Sequence, residues 1–139
     1  MIDMALTPGI GLADIRAITY ENGDPLLDQG RLWYTMSIRG CALSHHIQGV
    51  FSLDPTIFDI RPEGIILFDR DYGLLRNEIA SHIFFERKQN IWRGLTPGYS
   101  AFANPEKEQK LLLAIESKNE GYKKMSGPVK HNSTGTSIY

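Results

Sequence analysis

Arg31-Leu32-Trp33-Tyr34-Thr35-Met36-Ser37-Ile38 sends Leu32, Tyr34, Met36 and Ile38 to one side and Arg31, Trp33, Thr35 and Ser37 to the other. Successive side chains of an extended chain point to opposite faces, so this alternation predicts a half-buried β-strand. Upstream, Leu26-Leu27 is followed by Asp28-Gln29-Gly30, a polar turn ending in glycine, and the two runs read together as a β-hairpin. Gly40 ends the strand. Downstream, Ile47 to Leu53 is a second β-prone run closed by Asp54-Pro55, and Gly64 to Phe68 is a third. Four short strands with turn chemistry between them make one antiparallel meander, and residues 24 to 70 carry no helical period.

The pattern then starts again. Ile83-Phe84-Phe85-Glu86 matches Leu26-Leu27-Asp28 in type, the turn Arg87-Lys88-Gln89-Asn90 follows, and Ile91-Trp92-Arg93-Gly94 resembles Leu32-Trp33-Tyr34. Trp33 and Trp92 are 59 positions apart, and Leu27 and Phe85 are 58. A period of this order suits one four-stranded propeller blade. Ser100 to Ala103 and Lys110 to Glu116 would complete the second unit. Asn104-Pro105-Glu106 could instead open a helix there, but the repeat favours a strand. The expected fold is therefore all-β, antiparallel four-stranded blades of an incomplete β-propeller. Residues 1–120 hold the blades (14–74 and 75–119), and the Lys-, Ser- and Gly-rich residues 121–139 form a flexible tail. Trp33 and Trp92 are expected in the core, packing blade against blade, rather than as platforms for sugar rings. Asn132-Ser133-Thr134 is a glycosylation sequon with a chance occurrence in such a tail.

Composition narrows the function. The chain is 42% hydrophobic and 22% charged, typical of globular proteins, with a formal net charge of -1. That balance offers no field to draw nucleic acid or an anionic membrane surface, so neither is expected as a partner. No run reaches the ~18 apolar residues of a membrane span, and Met1 to Ala13 lacks the basic and apolar regions of a secretion signal. A soluble chain is expected, in a compartment left open. Cys41 is the only cysteine, which excludes an internal disulfide and a multi-cysteine zinc site. His45 and His46 stand close to it but read as loop residues rather than as a base for a thiol nucleophile. No metal or other cofactor is expected. Thr7-Pro8-Gly9-Ile10-Gly11 lacks the lysine and third glycine of a phosphate-binding loop.

The chemistry-bearing constellation is acidic. Asp24 stands before the first hairpin and Glu78 before the second. The innermost strand of each propeller blade lines the central channel, so equivalent positions on neighbouring blades converge. Two carboxylates delivered this way, one as base or nucleophile and one as general acid, are what glycoside hydrolysis needs. In the plainer alternative Asp24 is a turn residue before proline and Glu78 a solvated acid. Arg16, His46, Arg76 and His82 are the candidate binders of sugar hydroxyls or a carboxylate.

The segment Gly23-Asp24-Pro25-Leu26-Leu27-Asp28-Gln29-Gly30-Arg31-Leu32-Trp33-Tyr34 resembles the blade opening of five-bladed propeller glycoside hydrolases, the arabinanase/xylosidase family 43 group and its invertase relatives. The resemblance extends over residues 14 to 116, with its specific part in the first hairpin. It implies a channel-lining catalytic aspartate at Asp24, an acid at the head of another blade, best matched by Glu78, and a carbohydrate substrate. Ser81 and His82 stand where the second blade would repeat Asp-Pro, so Glu78 is out of register with Asp24. A third acid common in these families has no clear counterpart. The chain has room for two blades, whose open edges could pair in a homo-oligomer. A sugar- or peptide-binding module without chemistry, and an inactive truncated product, are the competing expectations.

Overall fold

The computed structural model of the chain describes residues 8–41, 45–69, 75–98, 112–118 and 137–138. Among them every regular element is a strand and none is a helix. The all-β expectation is met, with antiparallel pairing nearly throughout.

The alternating stretch forms β4 (Arg31–Arg39), the centre of the first sheet. It is flanked on one side by β5 (His46–Asp54), which in turn pairs with β6 (Asp59–Ile66). On its other side β1 (Gly11–Ala17) and the short β3 (Leu27–Asp28) lie end to end. β4-β5-β6 is an antiparallel meander, which β1 joins after an excursion of the chain through β2 (Thr19–Tyr20) and β3. The turn expected at Asp28-Gln29-Gly30 is present but one residue shorter: Asp28 pairs within β3, and Gln29 and Gly30 make the β3–β4 connection, both with positive φ (50° and 75°). Such turns match the right-handed twist of the strands they join, and glycine takes the second position without steric cost.

The second sheet runs β11-β10-β9-β2. Here β2 is Thr19–Tyr20, β9 is His82–Glu86, β10 is Ile91–Pro97 and β11 is Leu112–Lys118. The 112–118 segment is thus a strand, as the repeat required; Ser100 to Ala103 lies outside the described residues. Three of the four strands pair antiparallel, while β2 runs parallel to β9, with Thr19 opposite Phe84 and Tyr20 opposite Phe85. Because β2 follows β1 across the single residue Ile18, one stretch of chain edges both sheets. A third, small sheet joins β7 (Phe68–Asp69) to β8 (Leu75–Arg76) and to β12 (Ser137–Ile138). Two residues of the expected tail are therefore paired, and the rest of it lies outside the described residues.

The main core fills the space between the sheets: Ile18, Leu26, Val50, Ile66, Phe68, Ile83, Phe85 and Trp92, with Tyr20 and Trp33 packed against them. The Phe85 and Trp92 rings, from directly paired positions, meet at a centroid distance of 4.8 Å and a tilt of 42°. Trp92 thus belongs to the core, and half-buried Trp33 packs against its margin. A smaller cluster of Met36, Ile38 and Phe51, supported by Leu12, Tyr34 and Ile47, covers the opposite face of β4. Thr35 to Ser37 and Ile38 are consequently all buried. The half-buried strand of the sequence reading is covered on both faces, because its hydroxyls find partners rather than water (below).

The outer strand β6 bears on the expected edge-to-edge pairing. It carries Arg61, Pro62 and Glu63 in succession, with a bulge where Val50 and Phe51 face it. Proline removes a ladder donor, and charge and bulging oppose a further strand. Arg31 ties this edge inward, donating from Nε to Ser52 Oγ (2.7 Å) and from Nη2 to the Asp59 carbonyl (2.7 Å) and pairing with the Asp59 carboxylate (3.1 Å).

Candidate functional site

The link Asn77–Ser81, just before β9, crosses the polar face of β4 and β5 and is pinned there by side chains. Ser37 Oγ accepts from the Ala80 amide (3.1 Å), Gln48 Oε1 accepts from the Ser81 amide (2.9 Å), and Thr35 Oγ1 donates to the Ser81 carbonyl (3.0 Å). Ser81 Oγ donates to Thr96 Oγ1 (2.9 Å), and Asn77 Nδ2 donates to the His46 carbonyl (2.8 Å). Thr35, Ser37, Gln48, Glu78, Ser81 and Thr96 are all fully buried. Ala80 takes a positive φ of 59°, uncommon for a residue with a β-carbon. Burying hydroxyls and amides is tolerated only when they are bonded, and here they satisfy an irregular segment that makes no ladder of its own.

Glu78 lies inside this arrangement, so it is not the solvated acid of the plainer reading. Asp24 is what the plainer reading described. It is exposed, its carbonyl accepts from the Tyr20 amide (2.8 Å), and its carboxylate accepts from Asn22 Nδ2 (2.6 Å) in a tight turn.

The two acids are not brought together. Asp24 belongs to the end of β4 where Leu32 faces Leu27, whereas Ala80 is bonded to Ser37 and Asn77 to His46, opposite Arg39. Five residue steps of β4 at roughly 3.3 Å each separate these levels by about 17 Å. A glycosidase pair stands about 5–9.5 Å apart. The other candidates side with Glu78. Arg16 pairs with Thr35, on the face that receives Ser81; His82 follows Ser81; His46 sits opposite Arg39, with Asn77 on its carbonyl. Arg76 immediately precedes Asn77, and its backbone lies in β8. Arg16 and His82 are exposed and His46 half-buried.

Chemistry at the Asp24 end is a clasp between the neighbouring strands β2 and β9 of the second sheet, which the sequence reading missed. The Arg87 guanidinium, just past β9, bonds both Glu21 carboxylate oxygens (Nε to Oε1 3.0 Å, Nη2 to Oε1 2.9 Å, Nε to Oε2 3.2 Å) and lies 4.6 Å from the Tyr20 ring centroid. Hydrogen bonding from Arg87 is the main cause that holds Glu21 down to about 2 from an ordinary value of 4.5. The sign follows from linkage: the carboxylate binds protons less readily folded than unfolded, so its contribution is present above about pH 4.5 and fades as pH falls towards 2. The urea midpoint is therefore expected to fall between neutral pH and pH 3 by less in Glu21→Gln than in the wild type. Equal falls in both proteins would remove Glu21 from the acid response.

No protein-family model, curated protein or solved structure matches the chain.

Proposed function

We propose that the chain is part of a carbohydrate-acting β-propeller of the glycoside hydrolase type, with its sugar site at the Glu78 end. The observation that carries this reading is Glu78 itself. It is a carboxyl withdrawn from water just ahead of the second hairpin, in the link whose neighbours bond Thr35, Ser37 and the His46 carbonyl, with exposed Arg16 and His82 and half-buried His46 along the same face. A carboxyl kept from water is the environment in which an enzyme holds a proton to donate to a leaving oxygen, and cationic and imidazole groups suit sugar hydroxyls. The propeller reading draws support from connectivity. The first sheet ends in the meander β4-β5-β6 and the second continues β9-β10-β11, so two largely antiparallel units follow one another along the chain. The resemblance of Gly23 to Tyr34 supports the substrate class.

In this reading Asp24 belongs to a turn and takes no part in the same site. A panel of aryl-glycosides and monosaccharides, followed by turnover and by amide chemical shifts, tests it. Shifts are expected around Arg16, His46 and His82. Any hydrolysis is expected to vanish in Glu78→Gln and to persist in Asp24→Ala. Activity lost in Asp24→Ala, or sugar-induced shifts confined to residues 21–25, would overturn it. A non-catalytic binding module is the second reading, favoured by the separation of Asp24 from Glu78; shifts at the Glu78 end without turnover would select it.

A further inference from the structure

β1 is interrupted at one place. Between Ala13, opposite Ser37, and Arg16, opposite Thr35, it holds one residue more than β4, and Asp14 in that bulge has a φ of 53°. Bulges re-aim side chains, and aspartate, like asparagine, accepts the positive φ that this one requires. The bulge lies beside Ser37 and Thr35, the two residues that hold Ala80 and Ser81. The Asp14 carboxylate is 3.7 Å from Arg39 Nη2. By the alternation of β4, Arg39 shares the face of Ser37 and Thr35, and it lies opposite His46, whose carbonyl receives Asn77. Asp14 is thus at the same end of β4 as Glu78, in contrast to Asp24.

A second observation points to a ligand at this place. Gln48 is fully buried, and its Oε1 is committed to the Ser81 amide, which fixes the orientation of the amide group. Among the described residues its Nε2 finds no hydrogen-bond partner. A buried donor without a partner is costly, and an acceptor at this spot, such as a hydroxyl or carboxylate oxygen, would meet it.

We propose that Asp14, held by Arg39, is the carboxylate that shares the Glu78 site, and that the site binds a polyhydroxylated ligand offering an acceptor to Gln48. The ligand class rests on the function proposed above; the pairing of Asp14 with Glu78 does not. The two acids stand in opposite environments, one half-exposed and paired with a guanidinium, the other shut off from water. The charged or titratable groups placed around them are Arg39 on β4, His46 on β5, Arg16 on β1 and His82 on β9.

The test is the titration of the Glu78 side-chain carboxyl, followed by carbon-13 NMR between about pH 4 and 9 in the wild type, Asp14→Asn and Asp24→Asn. Removing a negative neighbour and freeing Arg39 both favour the ionised form of Glu78. Its midpoint is therefore expected to fall by roughly 0.5–1 unit in Asp14→Asn and to stay within about 0.2 unit in Asp24→Asn. Asparagine accepts positive φ, so the bulge persists; Asp14→Gly repeats the measurement should Asp14→Asn not fold. An unchanged midpoint in the Asp14 variants, an equal shift in Asp24→Asn, or no titration of Glu78 in the range would each overturn the pairing. Because the titration needs no sugar, a chain that shows the coupling but neither binds nor cleaves any glycoside would retain the pair and lose only the ligand class.

Discussion

Trp92→Ala is expected to lower the unfolding free energy by about 3–5 kcal/mol, read as a fall in urea midpoint at unchanged slope. Trp92 is 3% exposed and belongs to the core between the two sheets, with its ring against Phe85. Its truncation removes the transfer free energy of an indole and leaves a cavity that neighbours on two hydrogen-bonded sheets cannot collapse to fill. Against a typical total of about 5–15 kcal/mol, such a loss leaves the variant near the edge of folding. Trp33 is only half-buried at the margin of the same core, so Trp33→Ala is expected to cost less. Equal losses in the two variants would mean that the sheets do not meet where the core places them.

The second large effect is steric. A β-carbon added at Gly94 would stand 2.2 Å from the His82 carbonyl oxygen and 3.1 Å from the Ile83 Cα. Both are backbone atoms of the paired strand, so no rotamer change relieves the clash, and β9 and β10 must separate where Gly94 faces Ile83. Overpacking of this kind costs about 1–3 kcal/mol and sometimes more. It also has a functional reading, because His82 directly follows the pinned Ser81. Gly94→Ala is expected to lower the urea midpoint and to shift the Ser81 and His82 amide resonances, whereas alanine at Gly11, which has no neighbour within 4 Å, should do neither. A Gly94→Ala protein as stable as the wild type would contradict the close approach of the two strands.

The strands were legible because their signals are local. Alternation over 31–38, the Gln29-Gly30 turn and the aromatic pair at Phe85 and Trp92 depend on neighbours in sequence or one strand away. The burial of the polar side of β4 was not legible. Thr35 and Ser37 read as solvent-facing because the segment that bonds them, Ala80–Ser81, lies more than forty positions downstream and has no period of its own. The same long-range crossing places Glu78, and nothing near Glu78 in sequence announces it. Asp24 stood out by its Asp-Pro signature, which is equally the signature of a turn. Asp14 carried no motif at all; its bulge exists only through the register of β1 against β4. Among the candidate residues, those gathered at one end came from three separate stretches of chain, which periodicity does not relate to one another.

Asn77–Ser81 is locked onto the first sheet by side chains, carrying Glu78 into the interior. Native-state hydrogen exchange of the Ala80 and Ser81 amides tests this most directly, since both are bonded by side chains of β4 and β5 rather than by a ladder. Both amides are predicted to exchange as slowly as their neighbours within β9, in keeping with buried, satisfied donors. Exchange at the rate of an unstructured peptide, while β4 and β5 remain protected, would contradict it and return Glu78 to solvent.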